Sequence, residues 1–371
     1  MKSILITGAE GFIGRNLIAT LERLEQFEML RIGSASTREQ LEQYARQADF
    51  VFHLAGVNRS ADEGDFEKGN VDLTERLLQA LRRANKQTPV VFSSSTQAGN
   101  RTPYGQSKQR AEEALFTYSE QSGADVFVFR LPNVFGKWCK PNYNSVIATW
   151  CHNTARGIPI RIDNPETELT LTYVDDVIRS FVEVVQGKEQ AKEYGFCEVS
   201  PVYRVKLGAV ADKLTAFRDS RETLESFRTD DLFSRYLYST YLSYMPNDGF
   251  AYELQMKHDH RGWLAEFIKS QQFGQIFISR TKPGITRGNH WHHTKVEKFL
   301  VIEGDATIKF RHIDSDNQLE YRVSGQELKV LDIPPGYTHS ITNTGDGDVI
   351  TLFWANEIFN AERPDTYFLE V

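Results

Sequence analysis

The sequence predicts an α/β domain built on a parallel sheet, followed by an all-β domain, and three observations carry that prediction. Through the first half of the chain, apolar runs of strand length alternate with amphipathic stretches of helix length. A glycine-rich turn joins the first such strand to the first helix. From Gln275 onward, helical periodicity gives way to short segments separated by turn residues roughly every ten positions. Hydrophobic residues make up 40% and charged residues 25% of the 371, which excludes a disordered chain. No apolar run approaches the ~20 residues a bilayer span needs, so no membrane association is expected. The opening MKSILITGAEGFIG runs straight into glycines and lacks the h-region and cleavage site of a secretory leader. Cys139, Cys151 and Cys197 are odd in number and far apart, which fits the reducing cytoplasm. A net charge of -7 argues against nucleic acid as the main partner but leaves room for an anionic small molecule.

In order, Ser3–Thr7 reads as a strand, Gly11–Glu25 as a helix, Phe27–Ile32 as a strand and Arg38–Gln47 as a helix. Phe50–Ala55 is a continuous apolar run of strand length. Val71–Asn85 is helical, with Leu73, Leu77, Leu78 and Leu81 on one face. Pro89–Ser93 and Asp125–Arg130 are strands on either side of a helix over Gln106–Glu120. Apolar strands alternating with helices mean a parallel sheet covered on both faces. Val202–Tyr244 reads mostly helical, and the breakers of Met245–Gly249 suggest a boundary, giving domains over 1–245 and 250–371. Beyond it lie strand-like Ile276–Ser279, Glu297–Ile302, Ala306–His312, Glu327–Ile333 and Val349–Trp354, as in an antiparallel sandwich or small barrel.

Gly8-Ala9-Glu10-Gly11-Phe12-Ile13-Gly14 sits after a strand and opens a helix. The first glycine allows the tight turn. The second lets a pyrophosphate approach the helix N-terminus. The third lets the helix pack on the strand. This placement predicts a dinucleotide site in a Rossmann-type sheet. An acid about 20 positions further on would hold the ribose 2′-hydroxyl of NAD. The window Leu30–Thr37 around Ser34 has no acid, while Arg31 and Arg38 stand at and beside it, so NADPH is expected.

Tyr104 and Lys108 are four apart at a helix start and share a face. An ammonium near a phenol lowers its pKa and lets it pass a proton while hydride moves. Ser93-Ser94-Ser95-Thr96 can offer a hydroxyl to the same oxygen.

With the strand end His53–Gly56, Asn70, RLPNVFG over Arg130–Gly136 and YVDDV over Tyr173–Val177, these signals occur in one order. That order resembles the extended short-chain dehydrogenases/reductases, which mostly act on nucleotide sugars. The resemblance covers about residues 1–245. It implies that Ser95, Tyr104 and Lys108 are catalytic and that Asn133 contacts substrate. It implies cofactor contacts at Gly8, Gly11, Phe12, Ile13, Gly14, Leu54, Ala55, Gly56, Tyr104 and Lys108, with Ser34 and Arg38 toward the 2′ position. Two departures stand out. The distance from Gly14 to Tyr104 is short for the family, as if a strand-helix unit were missing between Gly33 and Phe50. Thr96 and Gln97 replace the Asp-Glu pair of the 4,6-dehydratase branch, which argues against a dehydratase. For His53 and Asn70, strand-end packing and helix capping stand level with cofactor contact.

The second half holds GNHWHH over Gly288–His293. His290 and His292 are two apart and would share a strand face, with Glu297 near and His339 after the Pro334-Pro335-Gly336 turn. Three imidazoles and a carboxylate suit a borderline divalent ion such as zinc. Gly284, His290, His292, Glu297 and Gly304 reproduce the first motif of the cupins, and Pro334 through Asn343 most of the second, with Leu328 in place of its leading glycine. The resemblance covers about residues 250–371. It implies a jelly-roll barrel with His290, His292, Glu297 and His339 as metal ligands. His258 and His260 read as solvated, and His293 as outward-facing.

The two halves together resemble bifunctional capsule-synthesis enzymes that join such a reductase to a cupin. That resemblance implies C3 epimerisation of a UDP-4-keto-6-deoxy-HexNAc, namely UDP-2-acetamido-2,6-dideoxy-4-hexulose, by the cupin. Reduction of the C4 ketone with NADPH would follow, giving the L-talose-configured product on the route to UDP-N-acetyl-L-fucosamine. Lys295 and Tyr337 are candidates for the C3 base. A homodimer is expected, because exposed barrel strands favour pairing. The competing readings are a nucleotide-sugar C4-epimerase or dehydrogenase with a structural cupin that dimerises it, and a scaffold that binds without turnover.

Overall fold

The first strands are apolar on both sides, and the computed structural model, which describes residues 1–188 and 195–371, buries both sides. The strands β1 (Lys2–Thr7), β2 (Phe27–Ile32), β3 (Phe50–His53), β4 (Val90–Ser95), β5 (Val126–Leu131) and, further along the chain, β8 (Phe196–Cys197) form one parallel sheet. Their order is β2-β1-β3-β4-β5-β8. A doubly wound sheet ordinarily runs 3-2-1-4-5-6. Among the described residues no strand lies beyond β2, so the missing unit is the outermost strand and its helix.

The helices of this region are α1 (Phe12–Glu22), α2 (Arg38–Gln47), the single turn α3 (Gly64–Phe66), α4 (Leu73–Ala84), α5 (Pro103–Ser122), α6 (Val146–Thr154) and α7 (Val174–Val185). Ile4, Ile6, Phe52 and Phe129 face one side of the sheet and pack with Leu17 and Leu21 of α1 and Val177 and Phe181 of α7. Leu5, Val51, Phe92 and Val128 face the other, against Leu41 of α2, Leu77 and Leu81 of α4, and Leu115 and Tyr118 of α5. A strand-length alternation that is apolar at every position is thereby explained.

Several boundaries move. The chain leaves β3 at His53, so Leu54–Gly56 form a loop. A π-helical segment, Glu67–Asp72, precedes α4. The Tyr104 helix starts earlier than its apolar periodicity suggests, because Thr102 caps it by accepting from Gly105 N and Pro103 stands in the first turn. A small sheet orders β6 (Asn133–Phe135), β7 (Glu168–Tyr173) and β9 (Tyr203–Lys206), so the start of the stretch read as helical is a strand. Then come α8 (Leu207–Thr223) and α9 (Leu232–Ser243).

Contacts divide the chain into two compact units, Met1–Thr215 with Thr229–Pro246, and Ala216–Arg228 with Asn247–Val371. In the second, β10 (Met256–Asp259), β11 (Gly262–Ser270), β12 (Gly274–Thr281), β13 (Thr286–Trp291), β14 (Glu297–Glu303), β15 (Asp305–His312), β16 (Gln318–Ser324), β17 (Val330–Ile333), β18 (Tyr337–Asn343), β19 (Val349–Ala355) and β20 (Tyr367–Phe368) make two antiparallel sheets. Their orders are β10-β11-β12-β19-β14-β17 and β16-β15-β18-β13-β20. Phe299, Val301, Ile308, Phe310, Ile333, Ile341 and Phe353 fill the core. Among the described residues, no helix is long and apolar enough to cross a membrane.

Candidate active site and metal centre

The glycine turn is shaped by close backbone approaches. Gly8 has φ +69°, and a Cβ there would sit 2.7 Å from Ala55 N. A Cβ on Gly14 would sit 2.2 Å from Gly8 O, so the start of α1 lies directly on the turn. Thr7 Oγ1 accepts from both Leu54 N and Ala55 N at 3.2 Å, which fixes the facing loop. Gly11 ends the turn just ahead of α1, while Phe12 and Ile13 are half-buried against the sheet core.

A carboxylate reaches the end of β2 from the glycine turn itself: Ser34 Oγ donates to Glu10 Oε2 at 3.1 Å. Arg38 is exposed and paired with Glu42 at 3.2 Å, and Arg31 with Glu22 at 2.6 Å. Counting downstream along the chain could not find an acid that folds back from upstream.

The three serines ending β4 do three different things. Ser93 accepts the Lys108 ammonium on its carbonyl at 2.8 Å. Ser94 donates to the buried Glu112 carboxylate, which also accepts from Arg130 Nε and Nη2, at 3.0 and 2.6 Å. Ser95 bonds the Tyr104 hydroxyl and accepts from Gln97 N at 3.1 Å. Burial raises the Tyr104 phenol, and the Ser95 bond opposes that rise. Lys108 stands one turn further along the same helix. Its ammonium is turned to the Ser93 carbonyl, and burial, opposed by Glu112, pulls it down to about 8. His53 is fully buried, with one ring nitrogen 2.7 Å from Thr7 Oγ1 and the other 2.8 Å from Thr74 Oγ1. Burial and the Lys108 charge bring it to about 3, so it is a neutral packing residue. Asn70 bonds the Val57 backbone at both N–H and carbonyl and reaches Ser107, pinning the loop after β3. Asn133 stands exposed at the start of β6.

In the second unit, His290 from β13, His292 just past it, Glu297 opening β14 and His339 from β18 converge, with their donor atoms all within 4.8 Å of one another. A register shift between Gly288 and His290 marks a bulge, with Asn289 at φ +58°, and it bends the strand where the ligand pair begins. Glu297 Oε2 lies 3.5 Å from both His292 Nε2 and His339 Nε2. Those two nitrogens are buried and make no hydrogen bond. Buried polar atoms facing one another without partners are costly unless a cation sits among them, so this donor set fits a divalent ion. Burial, helped by the His339 charge, holds His290 near 4, hence neutral and able to ligate at neutral pH. Burial would raise the Glu297 carboxyl, but the imidazoles of His292 and His339 hold it well below the usual range. His293, His258 and His260 are exposed, as expected.

The profile of the NAD dependent epimerase/dehydratase family matches residues 4–199, more than half of the chain. The chain belongs to that family. A polysaccharide biosynthesis C-terminal domain profile matches residues 257–367 of the same family member. It is 44% identical over 368 residues to a UDP-2-acetamido-2,6-beta-L-arabino-hexul-4-ose reductase of Pseudomonas aeruginosa, covering 99% of this chain and 98% of that one. It resembles the capsular polysaccharide assembling protein CapF from Staphylococcus aureus, with a TM-score of 0.94 and 47% identity over 99% of this chain and 100% of that one. A second structure, CapF with the inhibitor 3-isopropenyl-tropolone, superposes with a TM-score of 0.89 and 43% identity, covering both chains in full.

Sequence reasoning missed the residues of this epimerase-family chain that hold the others in place. Asp365 accepts from His293 N, Thr294 N, Lys295 N and Thr294 Oγ1, and its own carbonyl lies 2.6 Å from His292 Nδ1. It follows His339 by 26 positions, in a stretch with no motif. Glu112 was likewise invisible, since nothing local marks it as the partner of Ser94 and Arg130.

Proposed function

We propose that this chain is a bifunctional nucleotide-sugar enzyme. It inverts C3 of UDP-2-acetamido-2,6-dideoxy-4-hexulose at the His/Glu cluster. It then reduces the C4 ketone at the Ser95–Tyr104–Lys108 set, giving UDP-2-acetamido-2,6-dideoxy-L-talose on the route to UDP-N-acetyl-L-fucosamine and surface polysaccharide. The observation that carries the reading is the pairing, on one chain, of a phenol bonded to a serine hydroxyl with a four-donor cluster of metal-ligand type. The activity of the Pseudomonas aeruginosa relative and the likeness to CapF support it. A cytoplasmic setting follows from the reading, because UDP-sugars are made there. Exposed Leu319 and Tyr321 on the edge strand β16 and Val330 on the edge strand β17 support a dimer.

The C3 proton is acidic because it lies beside the C4 ketone. His290, His292, Glu297 and His339 would hold a divalent ion, zinc by donor type, which polarises that carbonyl when bound. A side-chain base takes the proton from one face of C3, and an acid returns one to the other. Lys295 Nζ lies 3.9 Å from Glu297 Oε1 and 3.0 Å from Thr366 Oγ1, which places an amine beside the cluster. In the reductase, the glycine turn receives the dinucleotide pyrophosphate at the N-terminus of α1. The nicotinamide supplies a hydride to C4 when bound. Ser95 orients the ketone oxygen, and Tyr104 gives it the proton that completes the alcohol. Lys108, anchored on Ser93, keeps a positive charge under the nucleotide side of the site. Asn133 meets the substrate.

The test is isotopic. The 4-keto substrate in D2O, without dinucleotide, should take up deuterium at C3. His290→Ala should abolish the exchange and Tyr104→Phe should retain it. Dinucleotide oxidation by the same variants should show the reverse pattern. Absence of exchange at C3 would remove the epimerase half of the proposal.

A further inference from the structure

Lys108 and Glu112 stand one turn apart on α5, and both are buried. A buried ammonium loses its proton readily unless an anion stands near it. Glu112 is held in place from two strands. Its carboxylate accepts from Ser94 Oγ on β4 and, on β5, from Arg130 Nε and Nη2 at 3.0 and 2.6 Å. Ser94 and Arg130 are register partners, so one carboxylate joins the ends of two strands to the helix. Ser94 itself lies between Ser93, whose carbonyl takes the Lys108 ammonium at 2.8 Å, and Ser95, which bonds Tyr104. Arg130 is part-exposed and lies over the Phe196 ring at 4.4 Å.

The groups around the Lys108 ammonium can be named element by element. From β3 comes His53, which is neutral. From β4 come the Ser93 carbonyl and the Phe92 ring, its centroid 4.6 Å from Nζ. The π-helical segment offers the amide of Asn70, while its Glu67 is paired with Arg110. From α4 comes Thr74, bonded to His53, and from α3 comes Phe66, against the Tyr104 ring, with Asp65 taken by Ser60. The end of β5 brings Arg130, and α5 itself brings Tyr104 and Glu112. Among the described residues, Glu112 is thus the carboxylate whose charge opposes the effect of burial on Lys108. Its oxygens are engaged by Ser94 and Arg130, so it acts on the reaction only through its neighbours.

We propose that Glu112 is a positioning residue for ketone reduction, a fixed counter-charge held by Ser94 and Arg130 that keeps the Lys108 ammonium protonated while hydride moves. The inference rests on the reductase reading above. Removing the carboxylate takes away the anion and leaves the Arg130 guanidinium unopposed, and both changes favour loss of the Lys108 proton. Removing Arg130 leaves the carboxylate unopposed and favours keeping it. The two charges act in opposite directions, which a loss of packing cannot reproduce.

The experiment is the pH profile of single-turnover C4 reduction by the full-length protein, followed from neutrality into the alkaline range at fixed ionic strength. Glu112→Gln should move the alkaline limb down by about one pH unit. Arg130→Met should move it up, by about half a unit, because Arg130 is part-exposed and water screens its charge. If Glu112→Gln does not fold, the direction of the Arg130→Met shift carries the test alone. Limbs that stay where the unmodified protein has them overturn the proposal, as do limbs that move the same way in both variants, or an unmodified profile with no alkaline limb. Absence of C4 reduction in the unmodified protein overturns the reductase reading itself, a separate and recognisable result.

Discussion

Removing the Asp365 carboxylate should loosen the metal centre without altering any of its four donors. That carboxylate collects three backbone N–H groups and one hydroxyl from His293–Lys295, the link between His292 and Glu297. Burial works against its charge, yet the amides of Thr294, His293 and Lys295 hold the carboxyl well below the ordinary aspartate range. The Asp365 carbonyl faces His292 Nδ1 at 2.6 Å, which sets the tautomer and leaves Nε2 toward the cluster. Asp365→Asn is the perturbation of choice, because Asp365 has φ +37°, where asparagine is tolerated and alanine strained. The amide can accept on one side only and presents an N–H to the donors on the other. Each charge-assisted bond contributes about 1.5–3 kcal/mol, but water can replace part of this in a half-exposed loop. A net loss of about 2 kcal/mol corresponds to about thirtyfold weaker metal binding, within the range for groups that orient ligands. The assay is competition for zinc between the full-length protein and a chromophoric chelator, with circular dichroism to show the fold intact and a dinucleotide titration as control. A folded Asp365→Asn protein with zinc affinity within about twofold of the unmodified chain would refute the reasoning.

Other consequences can be checked separately. Gly14→Ala should abolish dinucleotide binding and lower the melting temperature, since its Cβ would stand 2.2 Å from Gly8 O; binding at unmodified strength would contradict the turn geometry. Glu112→Gln breaks a buried carboxylate network with Ser94 and Arg130 and should cost about 3 kcal/mol in urea unfolding, and a loss under about 1 kcal/mol would mean water replaces it. Burial brings His53 to about 3 in the folded chain, against about 6.5 for a free histidine, so between those pH values the unfolded chain binds a proton that the native one refuses. Stability should therefore fall with acid by up to about 1.4 kcal/mol per pH unit through that window, and His53→Gln should flatten the limb. Lys108 is charged below about pH 8 and neutral above it, so single-turnover C4 reduction should decline as pH rises through 8; a flat profile to pH 9.5 would separate the ammonium from the chemistry.

Much of the first unit was legible because its signals are local. A glycine at φ +69°, an all-apolar strand and a Tyr–Lys pair one helical turn apart are each fixed by neighbours in sequence. The missing strand-helix unit showed as a short spacing and reappears as the absent outermost strand. The sequence was silent where the deciding contact is distant. The Lys108 ammonium turns to the Ser93 carbonyl, fifteen residues away. His53, balanced between packing and cofactor contact, was decided by Thr7 and Thr74, 46 and 21 positions off.

The sequence by itself determined the two architectures, the glycine turn, the Ser-Tyr-Lys set and the four donors that converge within 4.8 Å. These depend on backbone conformation, on periodicity and on residue chemistry at short spacing, all of which a linear string records. Tertiary structure alone decided that the Lys108 ammonium turns to the Ser93 carbonyl, that Glu10 reaches the end of β2, and that Asp365 fastens the loop following His292. A carboxylate finds its partners through the path of the chain in space, and sequence distance carries no information about that path.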